Sequence, residues 1–160
     1  MICNEIVGIT RLSDYRENLN RALKLEAEIL QIESKLGPSC IQISDMPRSQ
    51  NPYDKLGNLT QRKIEKEKEL QKITKKMLEE KPILEGVINS MQKFASEKTN
   101  ISTLQDLLKY FYIDGFSVTT TCELLNCRLA SEDITESKRR LFYQWIHRAE
   151  YLFLKVQKTS

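Results

Sequence analysis

The first half of the chain carries a stripe of apolar residues with helical spacing. From about Ser13 to Leu36, apolar residues recur three and four positions apart, which places them on one face of an α-helix. Gly37 and Pro38 predict the end of this helix, because glycine readily adopts the left-handed conformation after a helix and proline cannot extend it. The stripe consists of Leu19, Ala22, Leu25, Ile29, Ile32 and Leu36.

A second, longer stripe predicts a second helix. Asn51 is a favourable N-cap, and Pro52 suits the first helical position. Pro82 interrupts the pattern, but the phase is the same on both sides, so we predict one kinked helix of roughly forty residues, about 60 Å long. Glu80 fills one position of a stripe that otherwise holds Leu70, Ile73, Met77, Leu84, Val87, Met91 and Phe94.

The length of the second helix predicts a partner. One shorter helix of the same chain cannot cover an apolar seam of that length, and a second copy of the chain is the simplest cover. We therefore expect residues 1–97 to form a long, coiled-coil-like antiparallel helical hairpin that makes a homodimer. A closed monomeric bundle is the alternative.

The last third of the chain predicts shorter helices around a tight corner. Ser102 and Gln105 have the spacing of a capping box, which predicts a helix start after the polar joint 96–100. Asp114 and Gly115 predict the end of that helix. Ser117 then caps a short helix over 118–126, whose inward side holds Val118, Cys122 and Leu125.

A final helix is predicted over residues 136–158, after a joint at about 127–135. Its apolar set is Leu141, Phe142, Trp145, Ile146, Ala149, Leu152, Phe153 and Val156. Strand-like alternation is not seen anywhere in the sequence, so the predicted fold class is all-α.

Several functional classes are disfavoured by composition. The sequence has 4 cysteines without a C-x-x-C pair and 1 histidine, which does not match a structural zinc site. A carboxylate pair, a nucleophile elbow and a glycine-rich phosphate loop are all missing, so we expect no enzyme, no metal and no cofactor. The start of the chain does not resemble a secretory signal, and the apolar runs are too short to cross a membrane. We expect a cytoplasmic protein with reduced thiols and no membrane partner.

The last helix has the chemistry of a DNA-reading element. From residue 137 onward there are 6 Lys or Arg against Glu150 alone. Arg and Lys bind phosphates, and Arg and Gln make bidentate contacts with guanine and adenine. A helix-turn-helix would place these side chains on DNA; a solvated basic face beside an ordinary corner is the alternative. The candidate DNA-binding residues are Ser137, Lys138, Arg139, Arg140, Tyr143, Gln144, His147 and Arg148.

Three segments in order resemble a family of small phage and prophage proteins from Gram-positive hosts. They are "ISDMPRS" at 43–49, "LLKYFYIDGFSVTTTCELL" at 107–125 and "YQWIHRA" at 143–149. Members carry an S-D-M-P-R-S-like loop, a helical N-terminal arm and a C-terminal helix-turn-helix similar to the promoter-reading end of sigma factors. RinA-like and ArpU-like relatives regulate late phage genes. The resemblance implies a helix-turn-helix domain over 98–160 and transcriptional regulation inside a bacterial host cell.

The turn before the last helix departs from the family pattern. Asn126 stands where the family has glycine, and "CRLASEDITE" follows before Ser137, which is longer than the family's short turn. Two interpretations stay open. Either the turn is an insertion, or the last helix starts near Ser131 and carries Glu132, Asp133 and Glu136 in its first turns. In the second case the acids would repel phosphates and weaken docking.

The loop motif has no mechanism that follows from its residues alone. Asp45 suits a cap or an Asx-turn, and Pro47 fixes the backbone. The loop either pins the hairpin of the two long helices or contacts host RNA polymerase or a sister subunit. Its residues are Ser44, Asp45, Met46, Pro47, Arg48 and Ser49.

Two functional hypotheses follow. The first is a phage transcriptional regulator that binds double-stranded DNA through the C-terminal helix-turn-helix. The second is a non-catalytic helical adaptor that binds a host or phage protein and keeps a relic helix-turn-helix.

Overall fold

The fold is all-α. A computed structural model describes residues 3–37, 52–94, 100–125 and 136–159, with side chains from residues 11, 56, 100 and 139 onward in these ranges. The helices are α1 (Cys3–Leu36), α2 (Pro52–Ser90), a 3₁₀ turn (Met91–Phe94), α3 (Ile101–Leu108), a π-helical turn (Lys109–Ile113), α4 (Val118–Leu124) and α5 (Glu136–Thr159). The loop motif Ser44–Ser49 and the two alternatives for the turn before α5 lie outside the described residues.

The chain divides into two compact units. The arm unit is Asn20–Lys76, and the core unit combines Met1–Leu19 with Met77–Ser160. This division differs from the predicted boundary between residues 97 and 98. The reason is packing: Leu12 of α1 and Leu84 of α2 belong to one hydrophobic core with α3 and α5.

In the arm unit, α1 and α2 run antiparallel. Ion pairs join Arg21 to Glu69, Glu28 to Lys66 and Glu33 to Lys63, so residue numbers rise along one helix as they fall along the other. The Lys63 Nζ–Glu33 Oε1 distance is 2.8 Å. Between these pairs the predicted α1 stripe is confirmed, with Ala22, Leu25, Ile29 and Ile32 all buried.

The second predicted stripe is also confirmed. Helix α2 begins at Pro52 and continues through Pro82 to Ser90, as expected for one helix rather than two. Ile73 is buried in the arm unit, and Leu84 and Met91 are buried in the core unit. The seam at Leu84 and Met91 is thus covered by other helices of the same chain, not left open as the sequence predicted.

The corner between α3 and α4 is built by a π-turn, a glycine and a cap. The Asp114 N–H donates to the Lys109 carbonyl five residues earlier, at 2.9 Å, which ends the π-helical turn. Gly115 follows with a φ of 71°, the left-handed conformation that favours glycine. Ser117 then accepts a hydrogen bond from the Thr120 N–H at 3.2 Å, so both the predicted stop and the predicted cap are confirmed.

Two local predictions are wrong. Helix α1 begins at Cys3, not near Ser13, and Leu12 before that serine is fully buried. The N-cap of α3 is Asn100, whose side chain accepts from the Thr103 N–H at 3.4 Å. The predicted capping box fails because Gln105 donates instead to the carbonyls of Ile88 and Asn89, at 2.7 and 3.2 Å.

Candidate nucleic-acid interface

Helix α5 is amphipathic, and its apolar side fixes its orientation. Phe142, Ile146, Ala149, Phe153 and Val156 are buried in the core unit at helical spacing, which confirms most of the predicted apolar set. Trp145 and Leu152 are half-buried against the same core. Leu141 is the exception, because 49% of it is exposed. It lies one position before Phe142 and therefore about 100° round the helix from the buried face.

An aromatic contact attaches α5 to the corner. The Phe111 and Phe142 rings lie 5.3 Å apart in an edge-on arrangement. The Arg16 guanidinium lies over the Phe111 ring, with Cζ 3.6 Å from the ring centre. Arg16 also donates to the Phe116 carbonyl at 3.3 Å. The N-terminal part of α1 thus holds both the π-helical turn and the residue that follows Gly115.

The candidate DNA-binding side chains that the structure describes lie on the exposed side of α5. Arg139, Arg140, Gln144 and Arg148 are exposed, and Tyr143 is half exposed. Arg140, Gln144 and Arg148 are four residues apart, so they project from successive turns of one face. The His147 side chain is 74% exposed on the same face. The side chains of Ser137 and Lys138 lie outside the described residues, although both positions are within α5.

This face continues beyond the residues that the sequence singled out. Tyr151, Lys155 and Lys158 follow at the spacing of the same helical face, and all are exposed. Lys155 places its ammonium 5.3 Å from the centre of the Phe94 ring. We call the set Arg140, Gln144, His147, Arg148, Tyr151, Lys155 and Lys158 the outer face of α5. It extends over about 27 Å, from the rise of a helix per residue.

The acid within this segment is turned away from the outer face. Glu150 is 9% exposed and accepts a hydrogen bond from the Tyr112 hydroxyl. Its other carboxylate oxygen lies 3.2 Å from His147 Nδ1. Burial, the hydrogen bond to Glu150 and the charge of Glu150 together raise the pKa of Tyr112, against a smaller opposing effect of Arg16. The hydroxyl therefore stays protonated and can donate across the physiological range.

Sequence reasoning did not find this buried group. Glu150 counted only as the single acid of a basic segment. Its position between apolar Ala149 and Phe153 on the inward side was a signal that could have indicated burial. The partner, Tyr112, could not be inferred, because the hydrogen bond joins residues 38 positions apart on different elements.

Other kinds of site are not seen in the described part of the chain. Within those ranges, no helix is long and apolar enough to cross a membrane. The same ranges hold no group of three or more His, Cys, Asp or Glu side chains placed to bind a metal ion. Comparison with known protein families, characterised proteins and solved structures gives no match.

Proposed function

We propose that this protein is a DNA-binding transcriptional regulator that contacts double-stranded DNA through the outer face of α5. The proposal takes α4 and α5 as a helix-turn-helix with α5 as the reading helix. In keeping with the resemblance of its motifs, we propose that the protein regulates phage genes inside a bacterial host. No catalysis is part of this function.

One observation carries the proposal. Arg140, Gln144 and Arg148 project from successive turns of an exposed helix face, while the acidic Glu150 points into the core. Among the described side chains of α5, this face holds cations and an amide and no exposed acid, which suits both phosphate contacts and base-edge hydrogen bonds. A merely solvated helix face more often mixes both signs of charge.

Two exposed tyrosines of α5 add to the support, Tyr151 on the outer face and Tyr143 beside it. Tyr143 and Tyr151 are 50% and 67% exposed. Tyrosine hydroxyls donate to phosphate oxygens, and the rings pack against sugars. The face therefore offers charged, amide and hydroxyl donors over its whole length.

We propose that α1 and α2 form a helical hairpin within the arm unit and that this hairpin makes a homodimer. Leu23 and Leu30 are exposed by 56% and 65% and lie seven residues apart on α1. Such spacing is typical of a seam between helices. A two-fold dimer with two reading helices would bind paired DNA half-sites. A contact with host RNA polymerase is a further proposal, for which the loop 44–49 is the candidate segment.

The test compares two arginine variants. Arg140→Ala removes a cation from the outer face, and Arg62→Ala removes an exposed cation from α2 in the arm unit. Binding to a labelled DNA duplex would be measured across about 50 to 300 mM salt. We expect Arg140→Ala to weaken binding and to reduce the slope of log K against log salt by about 0.9. Arg62→Ala should leave both unchanged. If the two variants bound DNA with the same affinity and the same salt slope, Arg140 would not be a DNA contact.

The adaptor hypothesis rests on the exposed apolar residues of the arm unit. Besides Leu23 and Leu30, α2 exposes Leu56 and Ile64 there. A protein partner that covers these residues would make the arm the functional surface. Tight association with a protein partner, together with absent salt-sensitive DNA binding, would favour this function over DNA reading.

A further inference from the structure

His147 occupies a position on the outer face of α5 that differs from its cationic neighbours. Its ring is exposed, but Nδ1 lies 3.2 Å from an oxygen of the buried Glu150. That carboxylate also accepts from the Tyr112 hydroxyl. The ring is therefore held on one side by a group in the core, while Nε2 is left on the solvent side.

The hydrogen bond determines which nitrogen carries the proton in the neutral ring. A carboxylate only accepts hydrogen bonds, so the contact with Glu150 requires the proton on Nδ1. The neutral ring then presents an Nε2 lone pair to solvent, which repels a phosphate oxygen. Only the protonated ring presents an Nε2–H donor and a positive charge.

We propose that His147 is a proton-linked phosphate contact. Glu150, which accepts a hydrogen bond from Tyr112, keeps the neutral ring in the Nδ1–H tautomer. The Nε2–H donor to the phosphate therefore exists only in the protonated ring. This inference rests on the proposed function, because the phosphate belongs to the DNA backbone. Glu150 and Tyr112 are positioning residues and do not touch the phosphate themselves. DNA binding takes up a proton at this site, and the contact is lost as pH rises.

The surrounding charges favour a phosphate at this place. Arg140 and Arg148 flank His147 on the same helix face, and both are exposed. Glu150 balances the protonated ring from the inward side. Ionisable groups also lie on the neighbouring elements: Tyr112 and Lys109 on the π-helical turn, Arg16 on α1, Asp106 on α3, Lys93 on the 3₁₀ turn, Glu123 on α4, and Tyr143 and Tyr151 on α5.

The first experiment reads the tautomer directly. The sequence contains 1 histidine, so ring signals in a ¹⁵N NMR spectrum belong to His147 without ambiguity. At about pH 8, where an ordinary histidine is neutral, we expect the Nδ1–H form in the native protein. Glu150→Gln should switch the ring to the Nε2–H form, because the amide can donate to Nδ1. An Nε2–H tautomer in the native protein would overturn the proposal.

The second experiment measures the linkage in DNA binding. A labelled random-sequence duplex would be titrated at about pH 5.5 and about pH 8, on either side of the ordinary histidine pKa. We expect about tenfold tighter binding at the lower pH, and a salt slope steeper by about 0.9, the effect of one added phosphate contact. His147→Gln should remove both differences. The matched control Arg148→Gln should bind more weakly at both pH values and keep the pH dependence.

The outcomes separate this inference from the proposed function. Duplex binding whose pH dependence survives His147→Gln would overturn the phosphate contact alone. No duplex binding at either pH would overturn the proposed function and the contact with it. Glu150→Gln should bind at pH 8 at least as well as the native protein; should that variant not fold, the exposed His147→Gln still decides the question.

Discussion

Replacing Gly115 with alanine tests the corner between α3 and α4. At this position the backbone has a φ of 71°, and an added Cβ would lie 2.6 Å from Leu19 Cδ2. The left-handed conformation costs a non-glycine residue about 1–2 kcal/mol. The contact with Leu19 adds about 1 kcal/mol, the lower end of the range for overpacking, because the end of a leucine side chain can rotate away.

These two effects predict a loss of about 2–3 kcal/mol in the free energy of unfolding for Gly115→Ala. Gly86 supplies a matched control in the same unit, since it lies within α2 and a Cβ there would meet nothing within 4 Å. Gly86→Ala should gain about 1 kcal/mol from helix propensity. The same chemical change thus has opposite signs at the two positions.

Urea unfolding followed by circular dichroism measures both variants. Repeating Gly115→Ala in a Leu19→Ala background separates the two contributions, because the truncated side chain leaves room for the new Cβ. In that background the loss should fall to about 1–2 kcal/mol, the backbone part alone. A loss below about 1 kcal/mol for Gly115→Ala in the native background would refute the reasoning.

Two further predictions concern α5 and its buried hydrogen bond. Phe142→Ala should cost about 3–5 kcal/mol of unfolding free energy, while the adjacent and exposed Leu141→Ala should change it by less than about 1 kcal/mol, as measured by urea unfolding; similar losses would contradict the observed orientation of α5. Tyr112→Phe should cost about 1–3 kcal/mol, because the buried carboxylate of Glu150 loses a donor. The raised pKa of Tyr112 means that the native protein loses stability as pH rises above the ordinary tyrosine pKa of about 10. Alkaline unfolding should lose this part of its pH dependence in Tyr112→Phe, and an unchanged dependence would argue against the raised pKa of Tyr112.

The long helices could be predicted from the sequence because their packing depends on periodic burial. The α1 stripe through Leu25 and Ile29 and the α2 seam through Leu84 and Met91 are confirmed, since each covers one face of a regular helix. The stop at Gly115 could also be predicted, because few residues adopt its backbone conformation.

The failures share a different cause, which is contact between distant parts of the chain. Gln105 resembles a capping residue, but its amide reaches the carbonyls of Ile88 and Asn89, which lie far back in the sequence. The hydrogen bond between Tyr112 and Glu150 joins residues that are 38 positions apart in the sequence. The prediction of an open α2 seam failed likewise, because α3 and α5 supply part of its cover.

For the candidate interface, the sequence identified the basic and amide residues of α5 but not their arrangement. Arg140, Gln144 and Arg148 followed from residue type and spacing, and the structure exposes all three. The inward direction of Glu150 and the continuation of the outer face to Lys158 could be recognised only from the structure. The division of the chain into two units could also be recognised only from the structure, because the core unit combines segments from both ends of the sequence.

Mapping the surface that DNA contacts tests the role of α5 most directly. An amide ¹H–¹⁵N NMR titration with a short DNA duplex at about 50 mM salt, where phosphate contacts are strong, reports the bound surface residue by residue. If α5 binds DNA, the largest shifts will lie along the outer face of α5, around Arg140, Gln144 and Arg148, and will fade as salt is raised. Shifts confined to the arm unit, or none in a folded protein, would contradict the claim that α5 binds DNA.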